Sequence, residues 1–228
     1  MRTAPVVLVH GWGGSFESTW RRPGWDALLE DAGRTVVGVD LLGHGTAPKP
    51  HDPAAYADLT TRIADALPDG EVDVVAFSLG AMTTLALAAR TPERFGRIVV
   101  GGIGENVFRT DEEAHRRIVA AVEGGGDPTD LTASLFGQYA RQPGNDAAAL
   151  AACLSAPRAR LTPEVLAGVR RPVLVCLGDR DFAGPADPLV AALPDARLVT
   201  LKGVDHFATP ESFAFIDAAL EFLEAVPA

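Results

Sequence analysis

The sequence predicts an α/β protein built on a doubly wound, mostly parallel sheet of about six strands. Short apolar, β-branched runs alternate with helix-forming segments along most of its 228 residues. The central run, 72–77, stops at Ser78, and a strongly helix-forming stretch, 79–90, begins immediately after it. A strand, a very tight turn and a helix are therefore expected at the centre of the chain.

The first half of the chain continues this alternation. Residues 5–10 form an unbroken apolar run, typical of a strand covered on both faces. A helix is expected at 25–31, with Gly33 placed to stop it. A strand at 35–40 and an amphipathic helix at 56–67 precede the central strand. In a doubly wound sheet the second strand lies outside the first and the third on its other side, and ligands bind at that switch point.

The second half of the chain carries three more strands and interrupts the alternation. The strands are expected at 97–102, 172–177 and 197–201, and a C-terminal helix follows the last one. Between the fourth and fifth strands, four helical segments are separated by glycine- and proline-rich turns. These segments are 111–123, 129–141, 146–154 and 162–169.

The turn at Ser78 carries the first resemblance to a known family. Ser78 is expected to have a sparsely populated backbone conformation with its hydroxyl raised above the sheet. The segment A-F-S-L-G resembles the G-x-S-x-G nucleophile elbow of the α/β-hydrolase superfamily, with Ala76 in place of the first glycine. The additional methyl group is expected to crowd the elbow slightly. The alternative interpretation is a serine that caps an ordinary core helix.

The loop after the first strand resembles a second motif of the same superfamily. His10-Gly11-Trp12-Gly13-Gly14 is similar to the H-G-x loop that forms half of the oxyanion hole. The resemblance assigns the backbone N–H groups of Trp12 and Leu79 to that hole, and it places the Trp12 side chain at the acyl side of the site. His10 is expected to hold the loop by hydrogen bonds. The alternative is a glycine-rich turn beside a core tryptophan.

Two loop residues after the second strand are expected to be architectural. The segment from Asp40 to Gly45 is similar to the D-x-x-G-x-G segment of the superfamily. Asp40 and His44 are therefore interpreted as loop-fixing residues. His51 lies among prolines and is expected in a surface loop.

The remaining motifs supply an acid and a base. Gly178 to Asp181 matches the G-x-x-D pattern of the superfamily, which implies Asp181 as the acid. Asp179 is its rival, and Glu105 is a further alternative because some relatives supply the acid after the fourth strand. The G-x-x-H-F loop near the C-terminus implies His206 as the base. The order Ser78, Asp181, His206 along the chain is the order of the superfamily.

The resemblance also implies a division of the chain. Residues 1–104 and 171–228 are expected to form the α/β-hydrolase core, and 105–170 to form a helical lid inserted between the fourth and fifth strands. A lid at this edge excludes water and determines substrate shape. Some apolar lid residues could line the pocket, but helical spacing is more typical of lid core, and they are not assigned: Leu131, Leu135, Phe136 and Tyr139.

Composition and charge restrict the partners. The length and the 47% hydrophobic content fit one domain with a substantial core. The formal net charge of −10 argues against nucleic acid or an anionic membrane surface as a partner. Cys153 and Cys176 are expected to be small core residues. No cofactor or metal is implied. The expected partner is a small-molecule substrate, and a homodimer is compatible with the sequence but not required by it.

Two features of the sequence lead us to expect a cytoplasmic location. Residues 1–5 show no signal-peptide pattern and run directly into the first strand. No apolar run is long enough to cross a bilayer.

The activity implied by the resemblance is that of a serine hydrolase. Such an enzyme would cleave a carboxylic ester or thioester of a small to medium apolar acyl compound through an acyl-enzyme. Trp12 and Trp20 are loosely similar to residues of small carboxylesterases that act on methyl esters of acyl carriers or on enol-lactones. Carbon–carbon hydrolases and cofactor-free haloperoxidases use the same triad. A slow-turnover ligand-binding protein is a third possibility, because fold alone does not decide function.

Overall fold

The computed structural model describes residues 3–109 and 111–227. Met1 and Arg2, which belong to the N-terminal segment considered for targeting, lie outside the described residues. Across the described chain, six parallel strands form one sheet in the order β2-β1-β3-β4-β5-β6. The predicted doubly wound sheet is confirmed. The strands are β1 Val6–Val9, β2 Val36–Val39, β3 Val72–Phe77, β4 Phe95–Gly101, β5 Val173–Gly178 and β6 Ala196–Leu201.

Nine α-helices accompany the sheet in the described ranges. They are α1 Trp25–Asp31, α2 Thr60–Ala66, α3 Leu79–Arg90, α4 Glu112–Val122, α5 Leu131–Ala140, α6 Ala147–Ser155, α7 Pro163–Leu166, α8 Asp187–Ala192 and α9 Phe213–Phe222. No helix in 3–109 or 111–227 has the length and apolar character needed to span a membrane.

Three helices differ from the prediction. The helix expected at 162–169 is only one turn long, α7 Pro163–Leu166. The segment expected as one helix at 56–67 is a 3-10 turn, Pro53–Tyr56, followed by the shorter helix α2. Asp58 Oδ1 accepts from both the backbone N–H and the hydroxyl of Thr60, and this local bonding interrupts the helix between the two pieces. Helix α8, which begins with Asp187 and a proline, was not predicted, although this is a common pattern for a first helical turn.

The sheet separates two apolar layers because successive side chains of a strand point to opposite faces. Val7, Val9 and Val74 pack on one face with helices α2, α3 and α8. On the other face, Leu8 and Val75 pack with the large side chains Trp20, Trp25 and Phe215. Burial on both faces explains why β1 is a continuous apolar run and why β3 and β4 are mostly apolar.

Both cysteines lie in this core, as predicted. Cys153 and Cys176 are buried and do not form a disulfide. Burial raises the pKa of the Cys176 thiol to about 12, so it remains protonated at neutral pH.

The helices between β4 and β5 pack against the loop that follows β1. Trp12 Nε1 donates a hydrogen bond to the Leu150 carbonyl oxygen at 3.1 Å, and Asn145 Nδ2 donates to the Gly13 carbonyl oxygen at 2.8 Å. Trp12 and Phe136 also contact a small core built from the helical segment. The loop and the helical segment are thereby joined above the carboxyl ends of the strands.

A buried ion pair lies at the amino ends of the strands, on the side of the sheet away from Ser78. The Arg34 guanidinium donates to Asp73 Oδ2 at 2.5 Å, and both side chains are fully buried. Arg34 also donates to the carbonyl oxygens of Ala4 and Leu223. It therefore joins the start of β1, the start of β3 and the end of α9.

Arg34→Leu is expected to destabilise the protein by about 3 to 5 kcal/mol, because it removes the cation from a buried carboxylate. Urea unfolding followed by circular dichroism measures this change. Arg21→Leu is the matched control: Arg21 is exposed and pairs with Glu17 and Asp26 at the surface, so its loss should cost less than about 1 kcal/mol. Equal stability of the two variants would contradict the role given to Arg34.

Candidate active site

Ser78 lies at the turn between β3 and α3 in a strained backbone conformation. Its φ and ψ are 50° and −116°, which confirms the sparsely populated conformation predicted for this position. Strand β1 and helix α3 approach closely here, since a Cβ at Gly80 would lie 2.3 Å from the His10 carbonyl oxygen. Ala76 is buried inside the sheet, opposite Val9 and Val100, and its methyl group is accommodated without loss of the turn.

Ser78, His206 and Asp181 form one hydrogen-bonded chain. His206 Nε2 lies 3.0 Å from Ser78 Oγ, and His206 Nδ1 lies 3.0 Å from each carboxylate oxygen of Asp181. Asp181 follows β5, and His206 follows β6, so the sheet brings three distant parts of the chain to one edge. The Asp181 side chain has no solvent exposure and also accepts from the Ala183 N–H at 2.8 Å.

Aromatic rings hold the imidazole in place. The His206 ring lies 4.9 Å from the Phe77 ring and 4.3 Å from the Phe182 ring, measured between centroids. The His206 side chain is only 6% exposed. Packing on both rings and the bond to Asp181 restrict the imidazole to an orientation in which Nε2 faces Ser78.

The two rival carboxylates have other partners. Asp179 Oδ1 accepts from the Gly203 N–H at 2.7 Å and joins the loops after β5 and β6. Glu105 forms an ion pair with Arg109 at 2.5 Å. Of the three candidates for the acid, Asp181 is the one that contacts His206.

The loop after β1 passes directly over Ser78. A Cβ at Gly11 would lie 2.8 Å from Phe77 Cδ1 and 3.1 Å from Ser78 Cβ, so a side chain at this position would require the Phe77 ring to shift. Trp12 lines the same pocket as Ser78, and its indole packs 5.2 Å from the Phe136 ring. Leu79 is the first residue of α3, where backbone N–H groups have no partner within the helix.

His10 has the structural role expected for it. It is completely buried, its Nδ1 lies 2.7 Å from the Gly11 carbonyl oxygen, and its Nε2 accepts from the Leu41 N–H. Nδ1 must therefore carry the proton. Burial lowers the pKa of His10, although the Gly11 carbonyl and Asp40 oppose this effect, so the ring is neutral.

Asp40 and His44 fix the loop after β2, as expected, and Asp40 also joins it to the loop after β1. Asp40 accepts from the backbone N–H groups of Phe16 and Thr46. Burial alone would raise the pKa of Asp40, but these hydrogen bonds outweigh it and lower the pKa.

His44 Nδ1 lies 2.8 Å from the Leu42 carbonyl oxygen. Burial lowers the pKa of His44 to about 3, which keeps this ring neutral. His51 is exposed, as predicted, and its Nε2 lies 2.9 Å from Asp146 Oδ2.

Ser78 opens into a cavity of about 50 Å³. Phe136 and Tyr139 line it, whereas Leu131 and Leu135 are 76% and 48% exposed. The sequence did not distinguish between these four residues, because helical spacing does not reveal which face of α5 meets the core.

Sequence reasoning also missed four residues that line the cavity from short 3-10 and π-helical turns, which have no strong sequence signal. They are Ser18, Thr19, Pro210 and Glu211. No group of three or more His, Cys, Asp or Glu side chains suited to a metal ion occurs in the described residues.

Comparison with known proteins places this geometry in a family. The model of the Alpha/beta hydrolase family matches residues 6–224. Over 94 residues the chain is 39% identical to a pimeloyl-(acyl-carrier protein) methyl ester esterase of Neisseria meningitidis, a match covering 39% of this chain and 32% of the relative. Over 114 residues it is 33% identical to a 2-hydroxy-6-oxo-2,4-heptadienoate hydrolase of Pseudomonas putida, covering 47% of this chain and 40% of the relative.

A solved structure extends the similarity to the whole fold. The structure of Rv0554 from Mycobacterium tuberculosis has a TM-score of 0.75 and 22% identity, and the alignment covers 100% of this chain and 92% of the other. The sequence matches to the two curated relatives span only about a third to two fifths of those proteins. The family match covers nearly the whole chain, and this chain belongs to the alpha/beta hydrolase family.

Proposed function

We propose that this protein is a serine hydrolase that cleaves esters of small to medium apolar acyl compounds. The hydrogen-bonded chain from Ser78 through His206 to Asp181 is the observation that carries the proposal. A serine hydroxyl is a weak nucleophile until a neighbouring base accepts its proton. His206 Nε2 lies within hydrogen-bond distance to do so, and Asp181 orients the ring and stabilises its charged form.

In the proposed reaction, Ser78 Oγ attacks the ester carbonyl carbon while its proton moves to His206 Nε2. The negative charge on the carbonyl oxygen is stabilised by the backbone N–H groups of Trp12 and Leu79. His206 then donates the proton to the leaving alcohol, and an acyl-enzyme on Ser78 remains. A water molecule then attacks the acyl-enzyme while His206 Nε2 takes its proton, and His206 returns this proton to Ser78 Oγ as the bond to the acyl group breaks and the acid leaves.

We further propose that residues 105–170 act as a lid over this site. Phe136 and Tyr139 from α5 line the cavity, and Trp12 connects the loop over Ser78 to helix α6 through Leu150. Such a cover would exclude water during acyl transfer and limit the length of the acyl chain. The small cavity favours short acyl groups, since pockets for larger ligands are typically about 300 to 1,000 Å³.

A carbon–carbon hydrolase is the second candidate, favoured by the similarity to a heptadienoate hydrolase. The test compares turnover of p-nitrophenyl acetate, butyrate, hexanoate and octanoate with turnover of 2-hydroxy-6-oxo-2,4-heptadienoate. Repeated turnover of the esters, fastest at four carbons or fewer, is expected. Cleavage of the heptadienoate with no action on esters would favour the second candidate. A single slow turnover together with strong ligand-induced stabilisation would favour a ligand-binding protein.

Phe136→Ala is expected to shift the preferred acyl chain towards greater length. Removing the ring opens the cavity beside Trp12, so the ratio of kcat/KM for hexanoate to that for acetate should rise by about tenfold. Phe213→Ala is the matched control, because Phe213 is 82% exposed and does not line the cavity. An unchanged ratio in Phe136→Ala would show that this ring does not limit chain length.

A further inference from the structure

One wall of the cavity beside Ser78 is polar and carries a charge. Ser18, Thr19 and Glu211 belong to it. Glu211 ends the 3-10 turn Thr209–Glu211, which follows the His206 loop. Trp25 Nε1 donates to the Pro210 carbonyl oxygen at 2.8 Å in a buried hydrogen bond. The turn that presents Glu211 is therefore anchored to the core.

Glu211 has no cationic partner in the cavity lining. Glu211 is the one carboxylate in the described cavity lining, which contains no lysine or arginine. It forms no ion pair with any described residue. Arg21, on the neighbouring turn, is paired with Glu17 and Asp26.

The electrostatic effect of Glu211 reaches the interior of the cavity. Burial raises the pKa of the Tyr139 hydroxyl, and Glu211 raises it further. Arg22, an exposed cation outside the cavity lining, lowers the same pKa, but its effect is smaller than that of Glu211. Glu211 therefore lies close enough to act on the Tyr139 side of the cavity, which it also lines.

A carboxylate in the lining of a cavity that holds no cation discriminates between ligands by charge, and because Glu211 is exposed, solvent screens part of its effect. A bound carboxylate would be repelled and would lose hydration without gaining a cationic partner. An alkyl end has no such repulsion, and an ammonium end would be attracted. We propose that Glu211 makes the cavity select acyl compounds that end in an uncharged or cationic group over those that end in a carboxylate. This inference rests on the proposed function, since it places the acyl compound beside Ser78.

Three methyl esters that share one chain and differ in its end test the inference. They are methyl pentanoate, methyl 4-aminobutanoate and monomethyl glutarate, whose chains end in a methyl, an ammonium and a carboxylate group. Acid release is followed at pH 7 in a pH-stat. For the wild type, kcat/KM is expected to be about tenfold lower for the carboxylate ester than for the methyl ester, and highest for the ammonium ester.

Glu211→Gln keeps the shape of the side chain and removes its charge. It is expected to bring the ratio between the ammonium and carboxylate esters about tenfold closer to one. Glu221→Gln is the matched control. It removes the same charge from the C-terminal end of α9. The neighbouring carbonyl oxygens of Phe222 and Leu223 accept from Arg97 and Arg34, so this end of α9 lies at the amino ends of the strands, away from the cavity. This control should keep the wild-type ratios.

Binding of the same esters to Ser78→Ala separates this inference from the proposed function. Dissociation constants measured by calorimetry should follow the same order of charge, and the order should be lost in the double variant Ser78→Ala/Glu211→Gln. If the wild type does not turn over any ester but this order of binding holds, the esterase proposal fails and the role of Glu211 stands. If binding and turnover do not depend on charge, or if Glu211→Gln keeps the wild-type ratios, the inference about Glu211 is overturned.

Discussion

Ser78→Ala is expected to lower kcat for p-nitrophenyl butyrate by at least about 10⁴-fold. The variant retains Cβ, so it keeps the packing against Gly11 and the backbone turn with φ of 50°. It lacks the oxygen that forms the acyl-enzyme, and residual activity would come from the remaining polar groups acting on water. Steady-state assays of the purified variant, with thermal unfolding as a check of the fold, measure the effect.

Ser134→Ala is the control for this substitution. Ser134 lies on α5 but does not line the cavity, and its hydroxyl donates at most a long bond of 3.5 Å to Pro128. We expect its kcat to remain within about twofold of the wild type, as for most surface substitutions. Equal activity of Ser78→Ala and wild type would rule out the nucleophile and with it the proposed mechanism.

Asp181→Asn is expected to lower kcat by about 10³- to 10⁴-fold with little change in the unfolding temperature. The Asp181 carboxylate accepts from His206 Nδ1, which leaves Nε2 without a proton and facing Ser78. An amide can donate to Nδ1 instead, and the ring would then carry its proton on Nε2, where it cannot accept one from the serine. The loss should appear in kcat more than in KM, because ground-state binding does not need the base.

Asp179→Asn and Glu105→Gln are the matched controls. Both residues were rivals for the same role, and their carboxylates bind Gly203 N and Arg109 instead of His206. We expect less than about a threefold change in kcat for either variant. A large loss in Asp179→Asn with an active Asp181→Asn would reassign the acid.

The strands and the central turn could be predicted because their causes are local. Residues 72–77 are apolar except for Asp73 and are followed directly by a helix-forming stretch, and the structure has a strand and a helix at those positions. The order of the first three strands followed from the topology rules for parallel sheets. The helix expected at 56–67 was wrong in its first turn, where the side chain of Asp58 competes with backbone hydrogen bonding.

The sequence by itself determined the order of the first three strands and the strained turn at Ser78, and its resemblance to a known family indicated the loops on which an acid and a base lie. The family motif favoured Asp181 over Asp179, and the structure shows that Asp181 contacts His206. Only the tertiary structure decided that Phe136 faces the cavity while Leu131 is exposed, and that Glu211 lines the cavity. A local pattern depends on neighbours along the chain and can be read from it. Which side chains meet across a cavity depends on the packing of separate loops and helices, and that packing is set by contacts between residues far apart along the chain.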